Sequence, residues 1–288
     1  MPGCYFAVMP KALSSPDTAL AAGKQVVDLS DPGSVRRAIR TGVFRQFTNH
    51  VAPGFVQGNL VIVPAAHAED FAAYCAGNAQ ALPILGRSLP GVPHVPALAG
   101  DMDLRTDVGS YMVFRDGTLV ATPERIVDIW RDDLVAFVLG CSFSFEALLR
   151  AHGVRLRHLE EGNVSAMYVT NMDTTPVGAF GGKLVVSMRA LSPPDAITAT
   201  IVSARYPQFH GRPVWIGEPA GIGVDLDHSY GGHGLTTLEP GELPVFWACG
   251  ATGQIAALGA GLPLCITHNK AHMVVTDLPL PAKTEHDE

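Results

Sequence analysis

Residues 134–139 (LVAFVL) form an unbroken apolar run of strand length, which stops at Gly140 and passes through Cys141-Ser142-Phe143-Ser144 into a helix-forming stretch closed by Gly153. A strand apolar at every position is one covered on both faces. The same order returns twice. Residues 184–188 are followed by Ser192 as N-cap and Pro193 as first helical residue, with Ile197, Thr200, Ile201 and Ala204 on one face. Proline fits that first position because the N–H it lacks would have no intrahelical partner there. Residues 245–249 then lead into a helix at 252–258 and a strand at 262–267. Strand and helix in alternation predict a mainly parallel sheet covered by helices. No repeat of fixed period is visible in the sequence.

Upstream, Asp31-Pro32 opens a helix through Val35, Ala38 and Ile39, residues 60–63 read as a short buried strand, and residues 67–76 read as a helix that Gly77 and Asn78 can close. Residues 81–100 carry four prolines and three glycines and read as irregular connection. Asp116-Gly117 between β-formers predicts a hairpin over residues 111–120. Residues 1–29 read as a loosely docked extension, and the glycine-rich residues 217–234 as a seam between domains.

Composition narrows the partners. A net charge of −7 without a basic stripe argues against nucleic acid. The longest apolar run falls far short of the roughly 20 residues that cross a bilayer. The N-terminus lacks the charged start of a secretory signal, so the chain is expected in the cytoplasm. Five widely spaced cysteines without a CxxC pair suggest free thiols in a reducing compartment rather than a disulfide framework or thiolate zinc site. Homo-oligomerisation stays open.

Chemistry is expected where β-strands end and helices begin, because free backbone N–H groups and the helix dipole there stabilise negative charge. The segment from Cys141 through Ser142 and Ser144 to Glu146 sets a thiol, two hydroxyls and a carboxylate at such a point. His158 and Glu160 could move protons, Arg189 could clamp a carboxylate, and His268 ends another strand near Asp277. Structural roles compete at each: helix capping by the serines, a solvated turn at residues 157–163, an edge ion pair for Arg189 and a satisfied core imidazole for His268. Asp225, Asp227, His228 and His233 match no metal-ligand spacing, so no metal or other cofactor is assigned, although a divalent metal is not excluded. Neither GAFGG at residues 178–182 nor AGIGV at 220–224 is a nucleotide fingerprint.

Six blocks resemble the D-glutamate cyclase family: APGFVQGNL (52–60), DMDLRTD (101–107), WRDDLVAFVLGCSFSFE (130–146), FGGKLVVSMR (180–189), PVFWACG (244–250) and CITH (265–268). The resemblance implies a three-layer α/β sandwich domain joined to a smaller two-layer α+β domain. We place the larger at residues 30–135 and 236–288 and the smaller at 136–235. It also implies a hydro-lyase that dehydrates D-glutamate to 5-oxo-D-proline, with a small amino acid as its partner. Within the matching blocks and beside the Thr170-Asn171 pair, Arg105, Asn171, Arg189, Cys249 and Gly250 become the expected substrate contacts. Val169, Gly109-Ser110 and residues 269–272 depart from the family pattern. Action on another small amino or hydroxy acid, and a non-catalytic acid-binding role, stay open as alternatives.

Overall fold

The structure, a computed structural model, describes residues 27–281, so the extension expected over residues 1–29 lies, up to residue 26, outside the described residues. Helix α1 (Pro32–Arg40) begins where the Asp31 carboxylate accepts from Ser34 N at 2.6 Å. β1 (Phe55–Pro64) leads into α2 (Ala65–Gly77) and the short β2 (Ile84–Arg87). The hairpin of β3 (Tyr111–Arg115) and β4 (Thr118–Ala121) turns at Asp116 and Gly117, both at positive φ, as a primed turn requires. β5 (Leu134–Gly140) is buried throughout and leads into α3 (Ser142–Ala151) and the single turn α4 (Arg157–Glu160). There follow β6 (Ala166–Asp173), β7 (Lys183–Leu191), α5 (Pro193–Ala204), β8 (Trp215–Ile216), β9 (Leu243–Ala248), α6 (Ala251–Gly259), β10 (Cys265–His268) and β11 (Val274–Pro279).

The strands build two antiparallel sheets, which overturns the expected mainly parallel sheet and its three-layer sandwich. One sheet runs β2-β5-β1-β10-β3-β4, with β11 pairing β1 beyond β10; the other runs β6-β7-β9-β8. The alternation was real, but its inference failed for a topological reason. After β1 and α2 the chain returns two places away, as β2, and β5 fills the gap antiparallel to both. β7, α5 and β8 do the same around β9. Helices α3 and α6 lead instead to the opposite sheet. Continuous apolarity reports coverage of both faces, which an antiparallel sheet can also have.

These two halves repeat each other in register. Gly58 faces Gly140 across β1 and β5, and Val186 faces Ala248 across β7 and β9. Cys141 follows the first pair and Cys249 the second. The Ser144 hydroxyl accepts from Gln57 N at 3.1 Å and donates to Gln57 O at 3.3 Å, while the Thr252 hydroxyl does the same with Val185 N and O at 3.0 and 3.4 Å. Two residues on stand Glu146 and Gln254. The strands that follow α3 and α6 are exchanged: β6 pairs β7, and β10 pairs β1. Corresponding positions carry different side chains, as at Ser144 and Thr252 or Glu146 and Gln254, so no sequence period shows.

Apolar cores flank each sheet. Phe71, Phe137 and Phe180 pack beneath α2 and α6, and Phe145, Trp247 and Val202 pack where α3 and α5 meet β9. The apolar face read for α5 points outward: Ile197 and Ile201 are 64% and 54% exposed, and Ala196, Ala199 and Val202 are the buried side. Among the described residues no helix is long and apolar enough to cross a membrane.

Candidate active site

The two strand-to-helix junctions meet. Asn59 in β1 donates from Nδ2 to Gly140 O at 2.6 Å, and the same amide sits so close to Gly250 that a Cβ there would lie 2.3 Å from Nδ2. The Cys249 thiol is near enough to Cys141 to oppose its ionisation. Burial is the main cause that pushes both thiols up; the Phe143 N–H on Cys141 Sγ, at 3.5 Å, opposes it only weakly. Both are therefore neutral thiols near pH 7.

Below the Cys141 junction lies a buried charged group. Glu146 Oε1 accepts from Arg189 Nη2 at 2.5 Å, Arg189 Nε at 3.1 Å and His158 Nε2 at 3.1 Å. Burial alone would raise the Glu146 carboxyl, but the charges of Arg189 and His158 and their hydrogen bonds hold it at about 2. Arg189 also donates to Ser187 Oγ at 2.6 Å and lies 4.8 Å from the Phe145 ring centre and 5.4 Å from that of Trp247. Its fork is thus occupied by Glu146, Ser187 and two aromatic faces. His50, from the 3₁₀ turn Thr48–His50, stands within electrostatic reach of Glu146 and His158.

Of the residues singled out from sequence, Cys141, Ser142, Ser144, Glu146, His158, Arg189, Cys249 and Gly250 gather around these junctions. The others do not. Glu160 is exposed and pairs with Arg155 at 2.8 Å. Arg105 is held by Asp103 at 2.7 Å in the loop covering the other face of the larger sheet. Asn171 is exposed on β6. His268 is buried in β10, where Nδ1 accepts from Leu60 N at 3.1 Å and Gln254 approaches at 3.3 Å; burial pushes its pKa down to about 4. His228 and Asp225 pair at the surface at 2.8 Å, and among the described residues no three His, Cys, Asp or Glu side chains form a metal-ligand set. Open depressions of about 490 Å³ beside Arg36 and Asp277 and about 200 Å³ beside Arg155 and Ser192 lie away from the junctions.

Sequence reasoning missed Asn59, and Lys270, whose ammonium lies within electrostatic reach of the Cys249 thiol. An Asn beside an all-apolar stretch of strand was the available signal for the first. For the second it was a lone lysine in a short turn between two histidines.

A D-glutamate cyclase family model matches residues 135–277. A protein of Verminephrobacter eiseniae named "putative hydro-lyase" is 47% identical over 263 residues, covering 91% of this chain and 96% of its own. One of the same description from Methylobacterium radiotolerans is 50% identical over 250 residues, covering 86% and 92%. Another from Rhizobium johnstonii is 47% identical over 262 residues, covering 90% and 97%.

Proposed function

The chain belongs to the D-glutamate cyclase family, and from that premise we propose that it is a hydro-lyase that closes D-glutamate into 5-oxo-D-proline. The observation that carries the reading is the buried Glu146-Arg189-His158 group set directly against two converging helix starts.

In the reaction the α-nitrogen bonds to the γ-carboxyl carbon and one C–O bond breaks. Two of the three ammonium protons leave with that oxygen as water, and the third remains on the lactam nitrogen. The tetrahedral intermediate carries negative charge on oxygen, and backbone N–H groups where α3 and α6 begin are suited to hold it. One such donor is worth about 10² to 10³ in rate. Glu146, ionised and holding three donors on one oxygen, serves to fix Arg189 and His158 rather than to donate a proton. The neutral Cys141 thiol favours direct closure over a thioester.

The test is incubation of the purified protein with D- and L-glutamate, with and without a divalent cation, following 5-oxoproline by chiral chromatography. D-selective product is expected. Absence of product from either enantiomer under every condition would remove the cyclase reading.

A further inference from the structure

Polar atoms left buried without a partner are costly, and in a site they mark what the ligand supplies. Among the described residues Asn49 Oδ1, Gln57 Oε1, Lys270 Nζ and His272 Nδ1 are in this state. Thr48 ties the four residues that carry them together. Thr48 O accepts from Gln57 Nε2 at 2.8 Å, and Thr48 N and Oγ1 both donate to Ala271 O, at 2.8 and 3.1 Å, between Lys270 and His272. Asn49 is the next residue along the chain.

The turn is held firmly. Asn269 N donates to Ser110 O at 2.8 Å and its side chain to Ser110 Oγ at 3.1 Å, and Met273 N donates to Thr48 Oγ1 at 3.0 Å. Ala271 sits at φ +59°, a left-handed conformation that costs a residue with a Cβ and persists where its surroundings impose it. From this turn the Lys270 ammonium lies within electrostatic reach of the Cys249 thiol. Cys249 cannot serve as a counter-ion, since its thiol is neutral, and Arg189 is already engaged by Glu146. A buried ammonium without a counter-ion is poorly placed until an anion arrives.

We infer that Lys270 binds the α-carboxylate of the substrate, and that the side-chain oxygens of Asn49 and Gln57 take its ammonium group. The site thus selects an α-amino acid by its zwitterionic head. This deepens the cyclase reading and rests on it for the identity of the acid.

Burial pushes the Lys270 ammonium down to about 8, which gives carboxylate binding a signature. The groups facing it are the neutral Cys249 thiol and His233, whose own pKa burial lowers, and its turn carries His268 and His272, both held near 4. Arg45, which faces His272, is paired with Glu124 at 2.9 Å. None of these changes charge between pH 7 and 9, so Lys270 governs that window. Only the ammonium form binds a carboxylate, so affinity is flat below pH 8 and falls above it.

Calorimetry on the whole protein with glutarate, which has no amine of its own to titrate, tests this. Wild type is expected to bind about tenfold more weakly at pH 9 than at pH 7. Lys270→Met should weaken glutarate and D-glutamate at least tenfold and abolish the pH dependence. The same change should raise the melting temperature, because it removes a buried unpaired charge; a purely structural lysine would lower it. Asn49→Ala should cut the preference for D-glutamate over glutarate while leaving glutarate binding in place. Wild-type affinity retained in Lys270→Met, with the wild-type pH dependence, or no binding of either acid by wild type, would overturn the inference. Lys270-dependent binding without formation of 5-oxoproline would overturn the reaction and keep the site.

Discussion

Glu146 concentrates the local energetics. Three donors meet one of its oxygens in a dry interior, and removing the carboxylate's charge strands a guanidinium that has no access to water. Glu146→Gln should cost about 3 to 5 kcal/mol in urea unfolding and abolish turnover. Cys141→Ala, by contrast, should keep turnover within about tenfold if no covalent step runs through the thiol, well short of the roughly 10⁶ lost when a nucleophile is removed. Both side chains stood out in the sequence by position, at the end of an apolar strand. Their difference in role did not, because it depends on Arg189 and His158 arriving from segments remote in the chain. His158 came with the wrong companion: Glu160, two residues on, points away to Arg155.

At the level of elements, the starts, ends and caps were legible because they are local chemistry. Ser192 accepts from Asp195 N at 3.2 Å and Asp31 caps α1, as their side chains predispose them to do. The face of α5 was not legible. Large aliphatics at Ile197 and Ile201 mimic a buried stripe, yet the helix lies close enough to α3 that small residues at Ala196 and Ala199 occupy the contact. Changing Ile197 and Ile201 together to Thr should shift stability by no more than about 0.5 kcal/mol per site, whereas Ala199→Leu should cost about 1 to 3 kcal/mol by overpacking. Thermal or urea unfolding of the two variants separates these outcomes. The junction between β9 and α6 makes the complementary case. A methyl at Gly250 collides with Asn59, so Gly250→Ala should be severe alone and much milder when Asn59→Ala is added, a coupling that a double-mutant cycle reads directly.

Across the whole molecule, acid should act in two separate windows. Burial pushes His210 and His268 down to about 4 from the ordinary imidazole value of about 6.5. The fold therefore favours their neutral forms: stability is full above pH 6.5 and declines as pH falls towards 4, with a slope of up to about 1.4 kcal/mol per pH unit for each. Glu146 works lower. Its folded pKa of about 2 lies below the ordinary glutamate value of about 4.5, so its contribution is present above pH 4.5 and lost as pH falls towards 2. Urea unfolding at a series of pH values should show the first decline above pH 4.5, and His210→Asn, which tolerates the left-handed backbone at that position, should remove about one proton from its slope. Strand direction could not be read from sequence, because apolar coverage is blind to it and neighbours were set by which sheet each helix delivers the chain to. The exchange of β6 and β10 has a consequence for how the chain matures on the ribosome. The edge of β1 that accepts β10 waits for roughly 200 more residues to be made, some 10 to 40 seconds at about 5–20 residues per second. Through that interval a long apolar edge is open to stray pairing, so nascent chains released before residue 265 should depend heavily on chaperones and aggregate without them.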